Sequence, residues 1–168
     1  MPLILRPFSP DDEVPARTAH GEFQRTGLNF LPIDFDERIP WEKWTELMER
    51  HRMGIDLPEN RVRSAFLAAE VDGQLVGRAS IRFGLDAFHA VTGGHIGYGV
   101  IAVFRRRGYA TAILKESILI ARSEGVAPLL LTCKDNNVAS AMVIERCGGR
   151  LETVALDENG VALRRYWI

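Results

Sequence analysis

The chain is short of cysteine, of net charge and of long apolar runs, and each shortage removes a class of protein. Only Cys133 and Cys147 occur in 168 residues. That is too few for a disulfide scaffold, so two core thiols in a reducing compartment are expected. Lysine and arginine number 21 against 22 acidic residues, a net charge of −1, whereas a nucleic-acid binder needs a basic surplus or a dense basic stripe. No stretch approaches the length of a membrane span, and Leu3-Ile4-Leu5 is far too short for a signal peptide. The expectation is a cytoplasmic protein with neither nucleic acid nor membrane as partner. Internal repeats and low-complexity tracts are missing too, as are the Gly-x-x-x-x-Gly-Lys-Ser/Thr and Gly-x-Gly-x-x-Gly phosphate loops.

What is present is enough apolar material, 46% of the residues, for one substantial core, and residues 1–168 read as a single domain. Leu3-Ile4-Leu5-Arg6 reads as a short strand. Ser9-Pro10-Asp11-Asp12 then starts a helix reaching about Phe23, with proline in its first turn. Residues 26–40, with Gly27, Asn29, Pro32 and Pro40, read as an irregular loop of the kind that walls an acceptor site. A second helix from Trp41 to about Met53 follows from the spacing of Trp41, Trp44, Leu47, Met48 and His51. Asp72-Gly73 between two apolar stretches, 65–71 and 74–83, is a strong hairpin signal, and Asn159-Gly160 marks a second hairpin that closes the chain.

The most informative stretch is an apolar strand, 94–101, that runs into Ala102-Val103-Phe104-Arg105-Arg106-Arg107-Gly108-Tyr109-Ala110-Thr111. Gly108 and Ala110 allow a tight turn with close backbone approach. Ile113, Leu114, Ile118 and Ala121 then recur at helical spacing. A helix beginning at such a loop presents unpaired N–H groups and the positive end of its dipole. With three guanidinium groups beside them, these suit a diphosphate. An apolar strand, 128–133, and a helix running from Asn136-Asn137 to Cys147-Gly148-Gly149 come next.

Arg105-x-x-Gly108-x-Ala110 after an apolar strand resembles the acetyl-coenzyme A signature of the GNAT superfamily of N-acetyltransferases, and the segment from Asn137 to Gly148 resembles that family's next motif. The resemblance covers about residues 64–157. Ile96-Gly97-Tyr98 and Asn137-x-x-Ser140 look most like its ribosomal-protein N-acetyltransferase-like branch and uncharacterised relatives. It implies an α+β fold: a mixed, mostly antiparallel sheet of about seven strands, flanked by about four helices, with a splayed parallel pair of central strands.

The resemblance also implies acetyl-CoA as co-substrate, with no metal. Val100, Ile101 and Ala102 would hold it at the strand end, where its pantetheine arm could pair like an added strand. Arg105, Arg106, Arg107, Gly108, Tyr109, Ala110 and Thr111 would form the diphosphate cradle, and Asn137 and Ser140 the second contact, although an asparagine at a helix start also serves as a plain cap. An acceptor amine would attack the thioester directly, its oxyanion met by an N–H near Val100. Candidates for proton transfer are His95, Tyr98 and Glu70; a core role for the first two and a solvated glutamate are the bland alternatives. Ile144 stands where many members carry the tyrosine that protonates the leaving thiolate. The function implied is acetyl transfer to a primary amine of a small molecule or peptide; the alternative is an acyl-CoA-binding regulatory module with little or no turnover. A homodimer is left open. Asp34, Asp36, Glu37 and Glu42 would bias the front of the molecule toward a cationic acceptor.

Overall fold

The computed structural model describes residues 2–168. In chain order the elements are β1 (Ile4–Arg6), α1 (Glu13–Gln24), α2 (Trp41–Arg52), β2 (Ser64–Val71), β3 (Gln74–Arg82), β4 (Ile96–Val100), α3 (Tyr109–Ser123), β5 (Leu130–Lys134), α4 (Val138–Arg146), β6 (Arg150–Leu156) and β7 (Ala162–Trp167). The order is the expected one. The first helix starts later than its sequence suggests, because Ser9 caps a separate 3-10 turn, Pro10–Asp12. The Asp12 carboxylate accepts the Ser9 N–H at 2.7 Å and the Arg6 guanidinium at 2.6 and 3.0 Å, which fixes that turn against β1.

Both hairpins form where the turn chemistry requires them. Asp72 and Gly73 adopt φ of 53° and 76°, the left-handed pair of a two-residue turn, and β2 and β3 pair antiparallel from Ser64↔Arg82 to Val71↔Gln74. At the second turn Gly160 (φ 76°) lets the Asp157 N–H donate to Val161 O at 2.9 Å.

The strands form two antiparallel sheets, β1-β2-β3-β4 and β5-β7-β6, so that β4 and β5 are inner edges without a ladder between them. The reason lies just ahead of β4. The His95 N–H donates to Leu130 O at 2.8 Å, but the return bond, from the Leu130 N–H at 2.9 Å, goes to the His95 Nδ1 and not to a carbonyl. A side chain has taken a backbone place, and main-chain pairing stops there. Farther along, Tyr98 in the middle of β4 reaches Ser140, beyond the end of β5, so the strands run in the same direction and diverge from a joined start.

Alternation along β3 decides what lies on each face of the front sheet. Ala79 and Ile81 are fully buried, on the side where Ile113, Leu114, Ile118 and Ala121 of α3 pack. The other face is covered by an aromatic cluster. Phe8 stacks on Phe66 at 5.7 Å, Trp41 and Trp44 lie 4.6 Å apart, and Phe23 and Phe30 meet edge to face at 5.3 Å. This cluster holds α1, α2 and the 26–40 loop over Phe66, and so roofs the space above Arg78, Ser80 and Arg82.

Two histidines support the frame in the same way. The Leu31 N–H donates to the His20 Nδ1 at 3.1 Å, as the Leu130 N–H does to His95, and both rings are buried. Burial pushes both pKa values below the ordinary 6.5, and an Nδ1 that accepts an amide must be unprotonated to do so. Below pH 6.5 the unfolded chain therefore binds more protons than the folded one, and stability falls as pH drops through that value. Urea denaturation is expected to show this fall, and His95→Ala should show a smaller one. The same variant should lose about 1–3 kcal/mol at neutral pH by leaving the Leu130 amide without an acceptor.

Candidate active site

The site is a fork with a loop at its open end. Register along β3 and β4, from Arg82 N–H donating to His95 O at 2.7 Å to Ile101 N–H donating to Val76 O at 3.0 Å, turns Gly97 and Gly99 toward β3. By alternation the amides of Ile96, Tyr98 and Val100 face the fork. The Val100 carbonyl is engaged there by the Arg105 Nε at 3.0 Å.

After Val100 the chain makes a 3-10 turn, Ala102–Phe104, then Arg106 (φ 65°) and Gly108 (φ 83°) both adopt left-handed backbone before α3 begins at Tyr109. Two left-handed residues so close together curl the main chain into a concave run of amides. The N–H groups of residues 106–111 have no backbone acceptor among the described residues; the first helical bond comes from Ala112 to Gly108 O at 3.1 Å.

The three arginines are not equivalent. Arg105 turns back to brace the loop, its guanidinium on the Val100 carbonyl and 5.5 Å over the Phe23 ring. Arg107 bonds Val103 O at 3.3 Å and lies over Phe104, while Arg106 projects into solvent. Asn137 caps α4 by accepting the Ser140 N–H at 3.1 Å. The Ser140 hydroxyl lies 2.9 Å from the Tyr98 hydroxyl, so β4 and the head of α4 are bridged across the fork. Burial pushes the Tyr98 pKa up to about 12, and the phenol stays protonated at neutral pH.

The structure separates the three residues named for proton transfer. Tyr98 stands inside the fork. His95 is at its closed end, buried, with Nδ1 committed to Leu130. Glu70 sits in a surface hollow with Arg6 and Asp12 and is ion-paired to Arg6. Ile144, the residue at the departure from the family pattern, is 1% exposed and packs with Tyr166, Leu131 and Ala141 in the core.

On the opposite face of β3 a cavity of about 260 Å³ opens between the sheet, the 26–40 loop, α2 and the segment around His89. Its floor includes Arg78, Ser80 and Arg82, which reading the sequence did not single out, since polar residues alternating with Ala79 and Ile81 look like an ordinary solvent face. Of the four acids expected to draw in a cation, only Asp34 lines this cavity, while Asp36 is tied to Arg38 at 2.8 Å. His89 is held through Nδ1 by Asp86 at 2.8 Å, and burial pushes its pKa below the ordinary value. Among the described residues no group of His, Cys, Asp and Glu could hold a metal ion, and no helix is long and apolar enough to cross a membrane.

Two sheets that part at one end, with a basic loop of free amides where they part, define an acyltransferase of the coenzyme A-dependent type. Residues 30–149 match the model of the acetyltransferase (GNAT) family. The chain belongs to that family, and it is an acetyltransferase.

Solved structures agree on the fold. RimJ of Mycobacterium smegmatis, in complex with CoA-disulfide, is 19% identical with a TM-score of 0.71 over 99% of this chain and 81% of its own. RimL, a ribosomal alpha-N-protein acetyltransferase in complex with coenzyme A, is 14% identical with a TM-score of 0.68 over 100% and 94%. The Microcin C7 self-immunity acetyltransferase MccE, in complex with acetyl-CoA and AMP, is 18% identical with a TM-score of 0.67 over 99% and 92%. No curated protein matches the chain in sequence.

Proposed function

We propose that the protein transfers an acetyl group from acetyl-CoA to a primary amine, with the donor's diphosphate on the amides of residues 106–111 and its arm along the fork. The observation that carries this reading is the run of amides without acceptors between Arg106 and Thr111, at the one place where the two sheets part. Acetyl or coenzyme A complexes of MccE, RimJ and RimL support it. The donor supplies an activated thioester. The chain supplies geometry: the Val100 N–H, aimed into the fork, is placed to donate to the oxygen on which charge develops, and the fork edge aligns the acyl group for attack.

Among the proton-transfer candidates we assign the leaving-group role to Tyr98. Its hydroxyl is inside the fork, protonated, and fixed by Ser140, where Ile144 offers no polar atom. It would donate its proton to the departing sulfur and be re-protonated by water, which takes up the proton that the amine nitrogen loses on forming the amide. His95 is then a positioning residue that locks the closed end, and Glu70 a partner of Arg6. Tyr98→Phe is expected to lower kcat by about 10- to 100-fold, a modest share of what general acids contribute because a thiolate leaves readily, with coenzyme A affinity unchanged. The whole reading is tested by titrating coenzyme A calorimetrically and by following thiol release from acetyl-CoA with a panel of amines. Absence of heat with coenzyme A would reject it.

A further inference from the structure

The cavity floor carries more positive charge than the chain answers. Arg78, Ser80 and Arg82 point to one face of β3, and across the register lie Gly99 and Gly97 of β4. Arg78 runs over these glycines: its guanidinium is 3.4 Å from where a Cβ would stand at Gly97, and its Nε is 3.5 Å from the same point at Gly99. The bare strand is what makes room for it. One Arg78 nitrogen donates to Asn29 O at 3.1 Å, while Nε is cut off from solvent without any partner. Arg82 donates to Gly94 O at 3.0 Å.

Neither arginine forms an ion pair among the described residues. Of the two carboxylates on the cavity wall, Asp86 lies close enough for its charge to act on Arg82 but takes its hydrogen bonds from the His89 ring and the His89 N–H, both at 2.8 Å, and Asp34 makes no ion pair with either arginine. Arg61, also on the cavity wall, adds a third positive charge. Burial pulls the Arg78 and Arg82 pKa values down to about 10, so both remain charged at neutral pH. Both guanidinium groups are half-buried, and the cavity wall sets only Asp34 and Asp86 against the three arginines. Three guanidinium groups against two carboxylates leave this hollow with a surplus of positive charge and of N–H donors, which suits an anion that arrives from outside.

We propose that the acetyl acceptor is a small amine carrying an oxyanion, carboxylate or phosphate, on the same molecule, and that Arg78 and Arg82 bind that oxyanion in the cavity beneath the 26–40 loop. The amine is thereby presented toward β4 at Gly97 and Gly99, whose missing side chains leave the room that Arg78 and the edge of the Phe23 ring occupy. The volume of about 260 Å³ admits a metabolite of amino-acid size, below the range of drug-sized sites. This rests on the function proposed above.

The test is a thiol-release assay with matched pairs of amines: α- and ω-amino acids against their carboxamides, phosphoethanolamine against ethanolamine, and an amidated tripeptide. The anionic member of at least one pair should win by about 100-fold in kcat/KM, and the pair that does so tells carboxylate from phosphate. Arg78→Met and, separately, Arg82→Met should erase most of that preference through KM while calorimetric affinity for coenzyme A stays unchanged. Independently, inorganic phosphate or acetate should raise the melting temperature of the wild type more than that of Arg78→Met. Equal or better use of the neutral amines or the tripeptide would overturn the proposal, as would a preference that survives in both variants. Failure of coenzyme A to bind would instead strike the function on which it rests.

Discussion

Gly108→Glu should weaken coenzyme A binding by about 100-fold or more without unfolding the protein. Gly108 is left-handed (φ 83°) and precedes the first residue of α3, with nothing within 4 Å of where a Cβ would stand. The substitution thus meets no neighbour and carries only the left-handed penalty of about 1–2 kcal/mol. What it adds is a carboxylate among amides and arginines arranged for a diphosphate, where like charges repel at close range. Calorimetric titration with coenzyme A, beside a urea melt, separates the two effects. Unchanged affinity in a folded variant would remove the loop from the binding site. Gly108→Ala, which has the backbone penalty without the charge, should lose far less affinity.

Gly94→Ala is expected to cost about 3–5 kcal/mol of stability, combining the left-handed penalty with overpacking against backbone. Gly94 has φ 57°, and an added Cβ would overlap the Leu130 carbonyl oxygen while lying 2.8 Å from its carbon and 3.2 Å from the Leu131 Cα. None of these atoms is the mobile end of a side chain. Relief requires β5 to move away from the start of β4, which breaks the two bonds that join His95 to Leu130. The fork would open at the end that keeps it narrow, so turnover should fall along with stability. Gly160→Ala is the control: φ is 76° there too, but nothing lies within 4 Å, and only about 1–2 kcal/mol should be lost. Equal losses in the two variants would mean that the closed end is not a rigid pivot.

Local chemistry explains which features could be read in advance. The Asp72-Gly73 hairpin is legible because two left-handed residues in a row are a demand few other pairs meet. The strand, loop and helix around Arg105 to Thr111 are legible because a glycine, a small residue and an amphipathic repeat fall together in fewer than twenty residues. Even there only the main chain could be foreseen. That Arg105 would turn back on Val100, leaving its neighbours to face solvent, depends on the Phe23 ring more than eighty residues earlier. His95 shows the same limit. A histidine ahead of a central strand reads equally well as a base or a frame residue until Leu130 is seen to donate to its Nδ1.

Order of elements, hairpin turns and family were thus fixed by residues close together in the chain, since each depends on backbone preference and on periodicity over one or two turns. The split into two sheets, the place of Tyr98 against Ser140, and the roofing of Arg78 and Arg82 by an aromatic cluster came only with the tertiary structure. An arginine on a strand has the same local signature whether water or a helix lies above it. Only long-range packing sets the dielectric around its charge, and with it what the charge can bind.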